Sequence, residues 1–246
     1  MRRRAWVRQI MGMPISIHVR GGDVDSPVVA RGVEEAFDLV RQADRLFSTY
    51  RRDSEISRVR RGELDPGQAD SLVQQVITLC HQAGELTGGA FTDQLPDDDG
   101  VLRLDPTGLV KGWAVDRAAR RLADLAGTSY CLNAGGDVAV GGTAVEAGDG
   151  PGALWRVGIE DPRDRSRIAE VVELHHGAVA TSGTAARGAH LYDPATGTFV
   201  QRAGSVTVIG PSLMWADVWA TALFVGPASL SLLLSQVAEG YRVISL

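Results

Sequence analysis

Apolar and polar positions alternate through "WVRQIMGMPISIHV", and the period of two predicts a strand from about Trp6 to Val19. The polar stretch "GGDVDSP" breaks it and closes on a helix-start signal, with Ser26 as N-cap and Pro27 at the first helical position. Val29, Val33, Phe37, Val40 and Leu46 then keep a helical period to about Phe47. "STYRRDSEISRVRRGEL" is polar and mixed in charge, which predicts a short helix leading into a loop. A second long helix is expected over 70–86, with Leu72, Val73, Val76, Ile77 and Cys80 on its apolar face and Gly88-Gly89 as its stop.

Beyond "AFTDQLPDDDG" a short strand, "VLRLD", and a turn at Asp105–Gly108 precede a helix starting near Leu109, whose buried stripe is Val110, Ala114, Ala118, Leu122 and Leu125. "SYCLNAGGDVAVGGT" reads as two strands about a Gly-Gly turn. Four strand-like pieces follow: "LWRVGIED", "IAEVVELHHGAVATSG", "AHLYDPATGTF" and "GSVTVIG". An apolar helix over 212–226, a helix near 228–239 and a closing strand "YRVISL" end the chain. Strands grouped among helices without a regular βα repeat predict an α+β fold, mixed or antiparallel sheets packed with helices. The whole of 1–246 is expected to form a single domain.

Composition narrows the function. The chain has 246 residues, 44% hydrophobic and 22% charged, ordinary for a globular protein. A formal net charge of -5 leaves no basic surplus for phosphate backbones and argues against a general nucleic-acid binder. The two cysteines, Cys80 and Cys131, lack a metal-site or disulfide-framework spacing. Arg2-Arg3-Arg4 begins like a signal peptide, but Arg8 and Gln9 interrupt the apolar stretch that should follow. No run reaches membrane-spanning length, so no membrane insertion is expected and the cytoplasm is the expected location.

Within the oily helix "SLMWADVWATALFVG" stand Asp217 and, one turn on, Thr221 on the same face. A buried acid is usually paired, hydrogen-bonded or bound to a cation. Asp217 is therefore either a satisfied core carboxylate or half of an oxygen-ligand site for magnesium or calcium. Lys111, in the first turn of the helix starting near Leu109, is unfavourable for the helix dipole unless an anion is bound there. The competing reading is a solvated surface lysine. "NAGGD" offers close backbone approach at Gly135 and Gly136, or simply a tight hairpin. "TSGTAARGAHLYDPATG" holds a Thr181-Ser182-Gly183 turn and His190, structural or catalytic, before the turn Asp193-Pro194. The run Asp97-Asp98-Asp99 reads as an exposed turn, and His175-His176 lacks a third metal ligand nearby.

These pieces, in this order, resemble the ApbE family of FAD:protein FMN transferases over nearly the full chain. The likeness rests on "MGMPISI", "FSTYRRDSEISRV", "TGGAF", "LDPTGLVKGWAVDRA", "LNAGGDVAVGG", "WRVGIEDP", "AVATSG", "HLYDPATG" and "SVTVIGPS" followed by "ADVWATALFVG". The resemblance implies Mg2+-dependent transfer of FMN from FAD to a Ser or Thr hydroxyl of a target flavoprotein, with release of AMP. It implies that Met11, Tyr50, Ala90, Phe91, Thr92, Asp105, Lys111 and Leu191 line the FAD site, Tyr50 against the isoalloxazine. It implies metal ligation by Asp217, Thr221 and the carbonyl of Gly108. Lys111 is expected to stabilise charge on the phosphates, and His190 to handle the acceptor's proton. FAD pyrophosphatase activity, giving FMN and AMP, and non-catalytic FAD binding are the alternatives.

The chain departs from the family pattern at Arg60, where an asparagine is usual. At Thr92 an aspartate is usual, and here Asp93 stands one place later. The segment between Phe91 and Asp105 is short, and Ala220 is sometimes a carboxylate in relatives.

Overall fold

The computed structural model describes residues 2–143, 154–184 and 190–246; Ala189, which begins one expected strand, lies outside them. β1 (Arg3–Ile10) and β2 (Met13–Gly21) form an antiparallel hairpin in place of the single strand expected over 6–19. Met11 and Gly12 take φ values of 56° and 70° at its tip. Two successive left-handed residues make the turn whose twist matches paired strands. The non-glycine Met11 hid it, because patterns reserve that position for Asn, Asp or Gly.

α1 (Pro27–Phe47) begins as expected, with the Ser26 hydroxyl accepting the Val29 N–H at 3.3 Å. α2 (Glu55–Arg60) is the short helix, and α3 (Ser71–Leu86) the second long one. β3 (Gln94–Pro96) and β4 (Leu102–Leu104) flank the exposed acidic turn, where Asp97 accepts the N–H groups of Asp99 and Val101. α4 (Thr107–Ala123) follows.

β5 (Thr128–Ala134) and β6 (Asp137–Gly142) close about Gly135-Gly136, whose φ values of 63° and 105° show the tight-hairpin reading of "NAGGD". β7 (Trp155–Asp161) pairs with β8 (Asp164–Leu174). The piece expected over 168–183 is two strands, since the chain turns at His175-His176 before β9 (Gly177–Gly183). β10 (Tyr192–Asp193) and β11 (Thr198–Phe199) make a small hairpin, then come β12 (Ser205–Gly210), α5 (Leu213–Val225), α6 (Leu230–Val237) and β13 (Arg242–Ser245).

The central sheet runs β1-β2-β5-β6-β9-β12-β13 and every neighbouring pair in it is antiparallel. This is the α+β architecture expected. One face carries Ile15, Ile17, Leu132, Ala139, Ala180 and Val208 into the main core, where α1, α4 and α5 lie against it. The β7–β8 hairpin covers part of the other face through Ile159 and Val172, packed on Val179 and Ile209. Eleven of the thirteen residues of α5 are buried, so it is enclosed all round rather than amphipathic. Among the described residues no helix is long and apolar enough to cross a membrane.

Candidate active site

Two contacts fix how α4 and α5 cross. A Cβ on Gly112 would stand 2.6 Å from Met214 Cα and 3.1 Å from the Leu213 carbonyl oxygen, so the two backbones touch there. One turn along α4, Asp116 Oδ1 accepts the Leu213 N–H at 2.8 Å. Its Oδ2 accepts the Ser212 hydroxyl at 2.6 Å and the Met214 N–H at 3.1 Å. A carboxylate satisfying the unpaired N–H groups at the positive end of α5 is the favourable arrangement. The sequence reading assigned Asp116 no role.

This crossing brings Lys111 to Asp217. The ammonium nitrogen lies 3.3 Å from Asp217 Oδ2 and also binds Asp137 Oδ2. α4 starts at Thr107, two residues before the expected start, so Lys111 is in its fifth position rather than at its mouth. The negative groups that settle its placement are side chains of the protein itself. Asp137 is 3% exposed and enters β6 directly after the Gly135-Gly136 turn. Its Oδ1 accepts the Thr181 N–H at 3.0 Å. Thr181 to Gly183 form the end of β9 rather than the expected turn, and Ser182 Oγ lies 3.0 Å from Thr221 Oγ1. Asp217, 5% exposed, and Thr221 sit one helical turn apart on α5 as expected. Lys111, Asp137, Thr181-Ser182, Thr221 and Asp217 thus close a ring drawn from two helices and two strands.

Of the other expected residues, Asp105 and Phe91 lie at the start of α4 and Ala90 at the end of α5. Asp105 Oδ1 accepts the Thr107 N–H at 3.1 Å and hydroxyl at 2.5 Å, while Oδ2 binds Arg60 at 2.8 Å. Arg60 also donates to the Leu104 carbonyl at 3.0 Å, so the residue that departs from the family pattern ties α2 to the α4 entrance. Phe91 is buried with its ring against Gly108, and Ala90 packs toward Gly226 at the end of α5. The 90–92 segment is therefore wedged between both helices, with Thr92 half-buried. The next residue, Asp93, is buried, and its Oδ2 has no hydrogen-bond partner among the described residues. Met11 is half-buried at the β1–β2 turn, and Tyr50 is 96% exposed. Leu191 is buried, with His190 exposed beside it at the β10–β11 hairpin.

A cleft of about 390 Å³ opens between the sheet and the β7–β8 hairpin, bordered by Asn133, Gly135, Gly136, Asp137, Arg156 and Thr181. Its lining includes Cys131, where burial pushes the thiol up to about 11, eased by the Arg20 charge. Cys131 is therefore a neutral thiol at physiological pH, in keeping with the lack of a cysteine nucleophile motif. The sequence reading missed Asp137 and Ser182 as members of the ring. Their position beside glycine turns and strand ends was the available signal.

An antiparallel sheet backed by two touching helices, with a lysine, two carboxylates and two hydroxyls gathered where they cross, defines an α+β protein with one compact polar centre. Family models give that class its name: the chain matches the ApbE family over residues 11–95 and 92–244, and it belongs to that family. A relative named FAD:protein FMN transferase, from Vibrio cholerae, is 27% identical over 79% of this chain and 75% of its own length. An Escherichia coli protein of the same name is 27% identical over 75% of this chain and 68% of its own length. The crystal structure of the ApbE protein from Thermotoga maritima superposes with a TM-score of 0.77 at 22% identity, over 99% of this chain and 94% of that one.

Proposed function

We propose that this protein is a Mg2+-dependent flavin transferase that moves FMN from FAD to a Ser or Thr hydroxyl of a target flavoprotein and releases AMP. The observation that carries the reading is the Lys111 ammonium held between the buried Asp137 and Asp217, beside the Thr221 and Ser182 hydroxyls. The names of the Vibrio and Escherichia relatives supply the flavin and the transfer.

The donors fit a hard cation. Among the described residues no cluster of three or more His, Cys, Asp or Glu side chains stands ready to enclose a metal. Asp217 and Thr221, one turn apart on α5, are instead oxygen donors with one carboxylate, to which the family resemblance would add the Gly108 carbonyl. Magnesium is commonly held so, by few protein ligands with substrate phosphates completing its shell. When bound, the ion supplies Lewis-acid polarisation of the diphosphate.

In the reaction the acceptor hydroxyl oxygen bonds to the FMN phosphorus, and the anhydride bond breaks with its electron pair leaving on AMP. Lys111 holds positive charge where the leaving phosphate oxygen gains negative charge. A ring nitrogen of His190 takes the acceptor's proton; its exposure suits an acceptor that arrives on another protein. Tyr50, projecting almost wholly into solvent, offers a face on which a flat isoalloxazine can stack.

The test incubates the protein with FAD, Mg2+ and a flavoprotein substrate of a known transferase, followed by denaturing electrophoresis. A fluorescent band that gains the mass of an FMN group on a Ser or Thr is the expected result. Free FMN and AMP formed equally without the target would make the protein a pyrophosphatase. FAD recovered intact would make it a carrier.

A further inference from the structure

Asp137 is buried, charged and outside the ligand set just named. Its two oxygens do different things: Oδ1 is fixed by the Thr181 N–H of the neighbouring strand, and Oδ2 holds Lys111. Lys111 therefore has one partner bound into the sheet and a second, Asp217, on α5.

We infer that Asp137 is a positioning residue, which retains the Lys111 ammonium when Asp217 gives it up for a divalent cation. The inference rests on the cation reading of Asp217 given above. Lys111 and a cation compete for the same carboxylate, and two positive charges on one oxygen repel strongly in a buried setting. Asp137 relieves that competition because it leaves Lys111 a full carboxylate partner after the exchange. A half-buried ammonium without one would be costly, so it would stay on Asp217 and oppose the cation. The same retention keeps the ammonium beside the cation, where a diphosphate spanning both would meet two positive groups.

Asp137 acting through Lys111 differs from Asp137 acting by its own charge, and a double-mutant cycle separates them. The probe is Mn2+, titrated into the protein alone and read by the loss of the free-ion electron paramagnetic resonance signal. Asp137→Asn keeps an oxygen for the Thr181 N–H, and Lys111→Met keeps the aliphatic stem. Thermal melts of each variant confirm folding before titration. The expected result is that Asp137→Asn weakens Mn2+ binding about threefold or more in the native background, where Asp217 remains a carboxylate partner of Lys111. Lys111→Met strengthens it, and adding Asp137→Asn to Lys111→Met changes nothing further. An equal loss from Asp137→Asn in both backgrounds would overturn the inference, because Asp137 would then act by its own charge or as a ligand. So would no loss in either. A native protein that takes up no Mn2+ at millimolar concentration overturns the cation reading and this inference together, whereas FAD-dependent labelling judges the transferase reading separately.

Discussion

The ammonium nitrogen of Lys111 stands 3.3 Å from Oδ2 of Asp217, on a helix separated from it by more than a hundred residues of chain. Two features that the sequence leaves unexplained, a lysine early in one helix and an acid within an apolar one, answer each other. Asp217→Ala removes a carboxylate whose cationic partner still holds Asp137, so no buried charge is stranded. The variant is expected to fold, with a melting temperature lowered by a few degrees, and to lose cation-dependent labelling by on the order of 100-fold or more. Comparable labelling rates in the variant and native proteins at saturating Mg2+ would remove Asp217 from the ligand set.

Gly112 sets a sharper condition on the same crossing. In an exposed helix, replacing glycine by alanine stabilises by about 1 kcal/mol. Here the added methyl would lie 2.6 Å from Met214 Cα, against backbone that cannot rotate aside. Overpacking of that kind costs roughly 1–3 kcal/mol or more and outweighs the propensity gain. Gly112→Ala is expected to lower the melting temperature and to reduce labelling as α4 and α5 move apart. A calorimetric melt at or above the native value would show that the helices have room there.

Helix period and capping signals carried much of this architecture into the sequence. Ser26 and Pro27 start α1 where expected, and Asp217 and Thr221 share a face of α5. The β1–β2 hairpin was harder to read, because its turn uses Met11 at positive φ. A change of phase was nevertheless present: the inward positions shift from even numbers at Trp6 and Ile10 to odd ones at Ile15, Ile17 and Val19. The ring around Lys111 was legible only at Lys111, Asp217 and Thr221. Asp137, Ser182 and Asp116 owe their roles to strand register and to a helix crossing, of which local spacing shows only the glycines beside Asp137 and Ser182. A glycine pair announces a hairpin; it does not announce which distant amine the next residue will meet.

Cys131 gives a check on the cleft that needs no ligand. Burial disfavours its thiolate and pushes the thiol up to about 11. A folded-state value raised above the unfolded one stabilises the protein at pH below the unfolded value. That contribution is lost as pH climbs toward 11. Alkylation by iodoacetamide is therefore expected to be slow at pH 8 in the native protein, to accelerate about tenfold per pH unit above it, and to be fast in denaturant at any of these values. Mass spectrometry of the peptide containing Cys131 reads the rate. Rapid native labelling at pH 8 would mean that the thiol is more open to solvent than its half-buried place in the cleft lining implies.

Asp116 tests whether the placement of α5, as distinct from its mere stability, governs the site. The carboxylate takes donors from Ser212, Leu213 and Met214, and these three bonds set where along α4 the helix begins. Asp116→Asn substitutes an amide whose NH2 group would face donors where an acceptor is needed, at an expected cost of about 1–2 kcal/mol. Ser26→Ala is a matched comparison, since it removes the N-cap of α1 at a cost of about 1 kcal/mol, far from the ring. If stability alone mattered, both variants would label normally per folded molecule at a temperature well below their melts. The structure predicts otherwise. Asp217 lies one turn beyond the contacts that Asp116 makes, so a shift of α5 by a fraction of a turn carries its carboxylate away from Lys111. Labelling per folded molecule should fall at least about tenfold in Asp116→Asn and stay at the native level in Ser26→Ala. Equal retention of activity in the two would show that α5 is located by its apolar packing and that Asp116 is only a cap.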